Sequence, residues 1–273
     1  MSRSNISAKP VTERASANVL GVGVDAIDMT VAVALIQDAL ADGRKGYVCL
    51  TGVHGVMEAQ RDPDFRQALD RALLIAPDGM PTVWVGRAQG FRQMRRVYGP
   101  DLMREVCAQS VAQRTRHFLY GGKPGIADRL RKNLEAWYPG IRIVGTHTPP
   151  FRPLLPDEQR ALEAKIAGLS PDIVWVGLST PKQERFMAEN IERFSCGLMI
   201  GVGAAFDVHT GNAKEAPRWM KQAGLQWFHR LCQEPSRLGK RYLVNNPAFL
   251  WGLALQLTGL RRYQLRRSAG GPV

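Results

Sequence analysis

The chain has 273 residues, of which 45% are hydrophobic and 22% are charged, and this composition excludes a largely disordered protein. A chain of this length can bury a substantial core as one large domain or as two smaller ones. Its net charge of +13 implies a polyanionic partner, for which nucleic acid, anionic lipid and diphosphate-bearing substrates all qualify.

The first 18 residues contain charged side chains with no apolar run behind them. They do not make a secretory signal, and we expect a disordered tail. The cysteines have neither CxxC spacing nor a metal-ligand rhythm, which is typical of buried free thiols in a reducing compartment such as the cytoplasm. The four cysteines are Cys49, Cys107, Cys196 and Cys232.

From about Val19 to Val208, short apolar runs alternate with amphipathic helical patterns. This alternation predicts an α/β fold, a Rossmann-like and largely parallel sheet flanked by helices. The predicted strands are 19–24, 47–50, 73–76, 117–120, 141–146, 173–177 and 197–202. The predicted helices are 30–41, 55–60, 64–72, 101–114, 125–137, 156–169 and 182–194.

Beyond Val208 the strand signal stops, and aromatic, basic and leucine residues recur at helical spacing, with a first helix predicted over 217–233. We therefore divide the chain into a catalytic domain (19–213), a helical, basic appendage (214–262) and a disordered tail (263–273). From Lys214 onward the chain carries +9 of its net charge. Such helices suit a lipid interface, and the alternative is a helical hairpin packed on the core with a solvated basic face.

No apolar stretch in the sequence approaches the ~20 residues that a membrane-spanning helix needs. The longest candidate, 248–257, is about half that length. The appendage is therefore expected to lie on a membrane rather than to cross it.

An Ala-Pro-Asp-Gly turn directly follows the strand predicted over 73–76. Asp78 then lies at the carboxyl end of a parallel strand, where ligands bind in open α/β sheets. A carboxylate at that position can deprotonate an attacking hydroxyl group as a general base. The alternative is that Asp78 only caps the helix that follows.

Other predicted strand ends are also rich in glycine and polar residues. The segment Thr51–Gly55 offers backbone N–H groups for phosphate, although its His54 is equally a helix-start residue. Gly121 and Gly122, followed by a lysine and a helix start, form a stronger anion-binding candidate, or else an ordinary loop. Polar side chains that can meet a nucleotide at two further strand ends are Ser179, Thr180, Gln183 and Asp207.

The sequence has one pair of carboxylates at the DxD spacing that many metal-dependent transferases use, Asp62 and Asp64, but this pair lies between two predicted helices and not at a strand end, and the histidines are scattered. We therefore expect neither a catalytic metal nor a cofactor. The charge of a leaving diphosphate is then expected to be neutralised by cations and helix dipoles.

The order of these motifs over about residues 19–250 resembles the WecG/TagA/CpsF glycosyltransferase family. The motifs that carry the resemblance are Thr51-Gly52, Pro77-Asp78-Gly79, the run from Arg95 to Leu102, Gly121-Gly122, the run from Thr180 to Glu184, the run from Gly203 to Asp207, and the run from Ala216 to Trp219.

The resemblance implies an inverting, metal-independent hexosyltransferase. Such an enzyme moves a sugar from a UDP-sugar to an undecaprenyl-diphosphate-linked acceptor in exopolysaccharide, surface polysaccharide or teichoic acid biosynthesis. It also implies a peripheral position on the inner leaflet of the bacterial plasma membrane, with the basic appendage completing the active site. It leaves open whether the protein forms a homo-oligomer.

The resemblance also assigns roles by residue match. Asp78 resembles the general base, and Thr51 lies beside it in the pocket. The residues that resemble donor-pocket residues are Arg96, Gln183 and Asp207. The appendage residues that stand where cations for the diphosphate are expected are Arg230, Arg237 and Lys240.

One departure concerns the segment after the strand 47–50. Family members often show Thr-x-Asn there, whereas this chain has Thr51-Gly52-Val53-His54. Val53 cannot make the contacts of an asparagine amide. The transferred sugar is therefore left open among N-acetylmannosamine, its uronic acid and glucose.

Two other classes of protein compete with the enzyme. A nucleic-acid-binding α/β protein would also use a charge of +13, but the sequence has no RNP, KH or zinc-finger pattern. A nonenzymatic membrane adaptor would leave the polar strand ends at Asp78, Gln183 and Asp207 unexplained. We therefore predict a glycosyltransferase that does not bind nucleic acid.

Overall fold

The structure, a computed structural model, describes residues 14–265 except for three side chains, those of Arg218, Gln222 and Arg237. A two-stranded antiparallel hairpin is followed by a six-stranded parallel sheet. The hairpin strands are β1 (Ser16–Val19) and β2 (Val22–Asp25), and the sheet strands are β3 (Gly46–Thr51), β4 (Leu74–Pro77), β5 (Arg116–Gly121), β6 (Arg142–His147), β7 (Ile173–Gly177) and β8 (Leu198–Gly201). Across the sheet the order is β4-β3-β8-β7-β5-β6.

Twelve helices are assigned within the described residues. Those of the α/β domain are α1 (Met29–Ala41), α2 (Val53–Arg61), α3 (Pro63–Asp70), α4 (Met80–Ala88), α5 (Gly99–Gln113), α6 (Ile126–Trp137), α7 (Pro156–Leu169), α8 (Lys182–Asn190) and α9 (Ala205–His209). Those of the appendage are α10 (Arg218–Gln222), α11 (Gln226–Gln233) and α12 (Pro235–Leu257).

The sheet is buried on both faces, which explains why its strands are continuous apolar runs. Helices α1, α5 and α6 pack on one face, and helices α2, α3, α7 and α8 pack on the other together with the hairpin. At the centre, the indole Nε1 of fully buried Trp175 donates a hydrogen bond of 3.0 Å to Nδ1 of His117. The predicted fold class is confirmed.

The strand predicted over 19–24 is wrong, because the chain reverses at Leu20 and Gly21, both of which have positive φ. The hairpin that results packs against the end of the appendage. Asn18 Nδ2 donates to the Tyr263 carbonyl at 2.7 Å, and Gln256 Oε1 accepts from the Leu20 amide at 3.0 Å. The predicted disordered tails are thus wrong for 14–18 and 263–265, and their remaining residues lie outside the described range.

The single helix predicted over 217–233 is two helices, α10 and α11. The chain breaks at Gly224, whose φ is +74° and where a β-carbon would come within 2.8 Å of the Trp84 ring. Helix α4, which carries Trp84, was not predicted. In the same region Cys232 is exposed, since α11 has no buried residue, so the prediction of buried thiols holds only for the other three cysteines.

The 23-residue helix α12 is the longest described element. It packs on α2 and reaches the hairpin with its last turn. In the part of the chain that the structure covers, no helix has both the length and the hydrophobicity to cross a bilayer.

Candidate active site

A cavity of about 730 Å³ opens at the carboxyl ends of β3 and β4, which is where open α/β sheets bind ligands. Its floor is the segment that joins β3 to α2, and helix α4 forms one wall. Helices α11 and α12 form the opposite wall. The cavity therefore lies between the α/β domain and the appendage, and both contribute side chains to it.

Asp78 enters the cavity directly after β4. Its amide donates to the Thr51 carbonyl at 3.0 Å, which extends the pairing of β3 with β4 by one residue. Gly52 allows the two strand ends to approach so closely, because a β-carbon there would collide with the Asp78 carbonyl oxygen. Helix α4 is capped by Gly79 without any side-chain hydrogen bond, so Asp78 is not a helix cap.

The carboxylate of Asp78 is held beside a cation. Arg96 Nε donates to Asp78 Oδ1 at 3.2 Å, and the Asp78 side chain keeps 34% of its surface exposed to the cavity. The Arg96 guanidinium also stacks on the Tyr98 ring at 4.2 Å. Burial raises the pKa of Tyr98 to about 12, so the phenol stays neutral and the stack is a cation–π contact.

Two arginines of the appendage complete the charged end of the cavity. Arg230 on α11 and Arg241 on α12 both line it. Lys221 on α10 also lines it, and its ammonium group pairs with Glu215 at 2.9 Å. The cavity thus presents one carboxylate to several cations, an arrangement suited to a hydroxyl nucleophile and a diphosphate.

The opposite end of the cavity is apolar. Trp84 and Ala88 of α4 face Leu250, Leu253 and Leu257 of α12 across it. These apolar side chains line the same cavity as the charged ones. The cavity as a whole matches a ligand with a charged head and an apolar tail.

The structure brings together three of the residues to which the resemblance assigns a role, Asp78, Arg96 and Arg230, and adds Thr180, which was predicted to meet a nucleotide. Thr51 lies next to them but is buried, and its hydroxyl has no hydrogen-bond partner among the described residues. Lys240 is exposed and does not line the cavity. Arg237 belongs to α12, but its side chain is outside the described part of the structure.

The other four predicted residues lie at neighbouring strand ends and do not line this cavity. Gly121 and Gly122 follow β5, and the Gly122 amide donates to the Gly177 carbonyl at 3.2 Å. Gln183 in the first turn of α8 is buried, and its Oε1 has no partner within the described residues. Asp207 is half-buried in α9, after β8.

The sequence reasoning missed Trp84, Arg241 and the role of His54. His54 Nδ1 lies 2.9 Å from Asn245 Nδ2 on α12, and burial lowers the pKa of its ring to about 4, with a further contribution from the Arg241 charge. One signal was available, since Arg241 and Asn245 are four residues apart and share a helix face.

Among residues 14–265, no group of three or more His, Cys, Asp or Glu side chains is arranged to hold a metal ion.

Comparison with known proteins identifies one family model, "Glycosyl transferase WecG/TagA/CpsF family", which matches residues 17–263. Two curated relatives share the name N-acetylglucosaminyldiphosphoundecaprenol N-acetyl-beta-D-mannosaminyltransferase. The relative from Bacillus subtilis (strain 168) is 34% identical over 180 residues, covering 66% of this chain and 68% of its own. The relative from Bacillus spizizenii (strain W23) is 29% identical over 211 residues, which cover 77% of this chain and 80% of the relative.

Proposed function

Because the chain belongs to the WecG/TagA/CpsF glycosyltransferase family, we propose that it moves a sugar from a UDP-sugar onto an undecaprenyl-diphosphate-linked glycan. The chain is a glycosyltransferase of the hexosyltransferase class. Its relatives are named for an undecaprenyl-diphosphate-linked acceptor, which supports a polyprenyl-linked acceptor for this chain as well.

The observation that carries this proposal is the polarity of the cavity. Asp78, Arg230 and Arg241 line its charged end, and Trp84 and Leu253 line its apolar end. A lipid-linked acceptor has the same order of parts, with a sugar hydroxyl, a diphosphate and a hydrocarbon chain. A nucleotide or a free sugar alone would leave the apolar end without a matching group.

In the proposed reaction Asp78 accepts the proton of an acceptor hydroxyl while that oxygen attacks the anomeric carbon of the donor. The bond between that carbon and the UDP oxygen breaks, so UDP leaves with the bonding electrons and the configuration inverts. The Arg96 guanidinium orients the carboxylate through its hydrogen bond to Oδ1. Arg230 and Arg241 bind the diphosphate of the lipid-linked acceptor, and the N-terminus of α6 offsets the negative charge that builds on the leaving UDP.

We assign the donor nucleotide to the neighbouring strand ends. Gly121 and Gly122 lead from β5 toward the N-terminus of α6, and phosphate binds readily at helix N-termini. Gln183 offers a buried acceptor oxygen that has no protein partner in the described structure, and Asp207 offers a carboxylate for a ribose or sugar hydroxyl. The proposed transfer uses no metal and no cofactor, as the family resemblance implies.

We also propose that the appendage docks on the cytoplasmic face of an anionic membrane. It exposes large apolar side chains beside a strong excess of basic residues, a combination typical of interfacial helices. The exposed apolar side chains include Trp219, Trp227, Phe228, Leu243, Leu250, Trp251 and Leu257.

The test is a panel of UDP-sugars incubated with synthetic undecaprenyl-diphosphate-linked monosaccharides, with UDP release and product mass as readouts. UDP-N-acetylmannosamine with the N-acetylglucosamine acceptor is the first pair, because the two relatives carry those sugars in their names. Acceptor-dependent release of UDP supports the proposal. Tight binding of oligonucleotides with no UDP-sugar consumed would support the nucleic-acid-binding alternative instead.

A further inference from the structure

Helix α12 contains a buried polar residue on an otherwise accessible stretch. Asn245 is 3% exposed, whereas Leu243 is 75% exposed. Asparagine is a poor residue for a helix interior, so a buried one calls for specific hydrogen bonds. Both polar atoms of the Asn245 side chain contact residues of α2. Arg61 Nη2 donates to Asn245 Oδ1 at 2.6 Å, and Asn245 Nδ2 lies 2.9 Å from His54 Nδ1.

The chemistry of the three groups determines where each proton lies. A guanidinium can only donate, so the amide oxygen of Asn245 must face Arg61 and its NH₂ group must face His54. Nδ1 of His54 then has to accept, which leaves the single ring proton on Nε2. The backbone of Thr180 opposes the lowering of the ring pKa, as an acceptor for that proton would.

The electrostatics agree with this assignment. Burial and the charges of Arg241 and Arg61 lower the pKa of His54 to about 4, so the imidazole is neutral near pH 7. A neutral ring whose Nδ1 accepts from Asn245 and whose Nε2 carries the proton has neither a charge for a diphosphate nor a free lone pair that could remove a proton. His54 lines the cavity, but this contact does not fit a general base.

The same contacts determine where Arg241 lies. Arg241 precedes Asn245 by four residues, so the two side chains share one face of α12. That face covers the carboxyl end of β3, and Arg241 lines the cavity from it. Anything that anchors Asn245 therefore also holds the Arg241 guanidinium at the charged end of the cavity.

We propose that the hydrogen-bond chain Arg61–Asn245–His54 anchors α12 to α2 and thereby positions Arg241 over the cavity. His54 is a positioning residue in this chain. The consequence for catalysis rests on the proposed function, whereas the anchoring of α12 does not.

The first test compares two replacements of His54 that keep different halves of the imidazole. In His54→Asn the side-chain oxygen takes the place of Nδ1, so Asn245 keeps its acceptor. In His54→Gln the amide lies where Nε2 was, and the Asn245 NH₂ group loses its partner. Amide hydrogen exchange of α12 is expected to stay close to wild type in His54→Asn and to accelerate about 10-fold in His54→Gln.

The second test needs no activity either. In wild type, ¹⁵N NMR of the imidazoles is expected to show His54 as the Nε2–H tautomer, neutral down to about pH 5. Asn245→Asp replaces the NH₂ donor by a carboxylate oxygen, so His54 is expected to take up a proton at Nδ1 near neutral pH. Asn212→Asp is the matched control, because Asn212 also accepts from an arginine, Arg129, but on the surface.

Steady-state kinetics connect the anchor to catalysis. His54→Gln is expected to raise KM for the lipid acceptor about 10-fold with a smaller change in kcat. His54→Asn is expected to have a KM much closer to that of wild type. A wild-type His54 that carries its proton on Nδ1 would overturn the proposal. So would unchanged exchange of α12 in His54→Gln. If both structural readouts are as expected but wild type transfers no sugar, the proposed function fails and the anchor stands.

Discussion

The parallel sheet and the appendage use their apolar residues in different ways. Strands β4 and β8 are buried along their whole length, and Trp175 in β7 is inaccessible to solvent. Helix α11, in contrast, has no buried residue, and Trp251 of α12 is 68% exposed. Folding buries the apolar surface of the sheet, whereas much of the apolar surface of the appendage stays exposed and available for a partner. The surface that folding buries and the surface proposed to contact the membrane thus lie in separate regions, and the cavity lies between them.

The largest expected effect is on the sheet side of the cavity. Asp78→Asn keeps the shape of the side chain but removes the proposed base, so turnover with a lipid-linked acceptor should fall by roughly 10²- to 10⁴-fold. UDP release is the measurement, and Asp157→Asn on the exposed surface of α7 is the control. Wild-type turnover in Asp78→Asn would remove this carboxylate from the mechanism.

The next largest effect is expected on the appendage side of the cavity, where two neighbouring basic residues of α12 can be compared. The sequence points to Lys240 and the structure to Arg241, because only the second lines the cavity. Arg241→Ala should lower kcat/KM by about 10- to 100-fold, as expected for a lost charge-assisted contact, and Lys240→Ala should lower it less. Equal losses in the two variants would contradict the orientation of α12 in the structure.

A smaller effect concerns the accessible surface of the appendage. Trp251→Ser removes a large side chain from the proposed lipid contact and should weaken binding to anionic vesicles by about 10-fold in sedimentation assays. Phe151→Ser is the matched control, since Phe151 is 98% exposed but belongs to the α/β domain. If both substitutions weaken binding equally, the appendage is not the docking region. High salt should reduce binding without abolishing it.

The last effect is a pH dependence of the free energy of unfolding that arises in the sheet. Burial lowers the pKa of His117 from 6.5 to about 4, so the folded state binds fewer protons than the unfolded state between those pH values. Its contribution to the free energy of unfolding is complete above about pH 6.5 and is lost as the pH falls toward 4, by at most about 1.4 kcal/mol per pH unit.

Urea unfolding at pH 7 and pH 5 measures this dependence. His117→Asn keeps an acceptor for the indole of Trp175 but cannot titrate, so its stability should change less between the two pH values. If the free energy of unfolding changes as much between pH 7 and pH 5 in His117→Asn as in wild type, other groups dominate the pH dependence.

The strands of the sheet were predictable because each is a short apolar run bounded by turn residues, a signal that lies within the strand itself. The hairpin at Leu20-Gly21 was missed because this pair is not among the common turn dipeptides. Helix α4 was missed as well, and its position depends on packing against β1 and the appendage. Local sequence patterns thus predicted the elements that form from short apolar runs, and they missed the hairpin and α4.

The site divides in the same way. Asp78 was found because a carboxylate at a strand end is an informative local pattern, whereas Arg96 and Arg230 were found only through the family resemblance. Arg241 was not preferred to Lys240, because one residue along a helix changes the direction of a side chain by about 100°, and only packing shows which one faces inward. The contact between His54 and Asn245 joins residues 191 positions apart, which no local pattern reveals.

The sequence alone therefore determined the parallel α/β class, the basic character of the appendage and the carboxylate at the end of β4, since each follows from residue type and short-range order. Tertiary structure decided which cations share a cavity with that carboxylate, where the apolar groove begins and how α12 is anchored. Those features depend on the rotation of helices and on contacts between distant segments, which the packing of the whole chain settles.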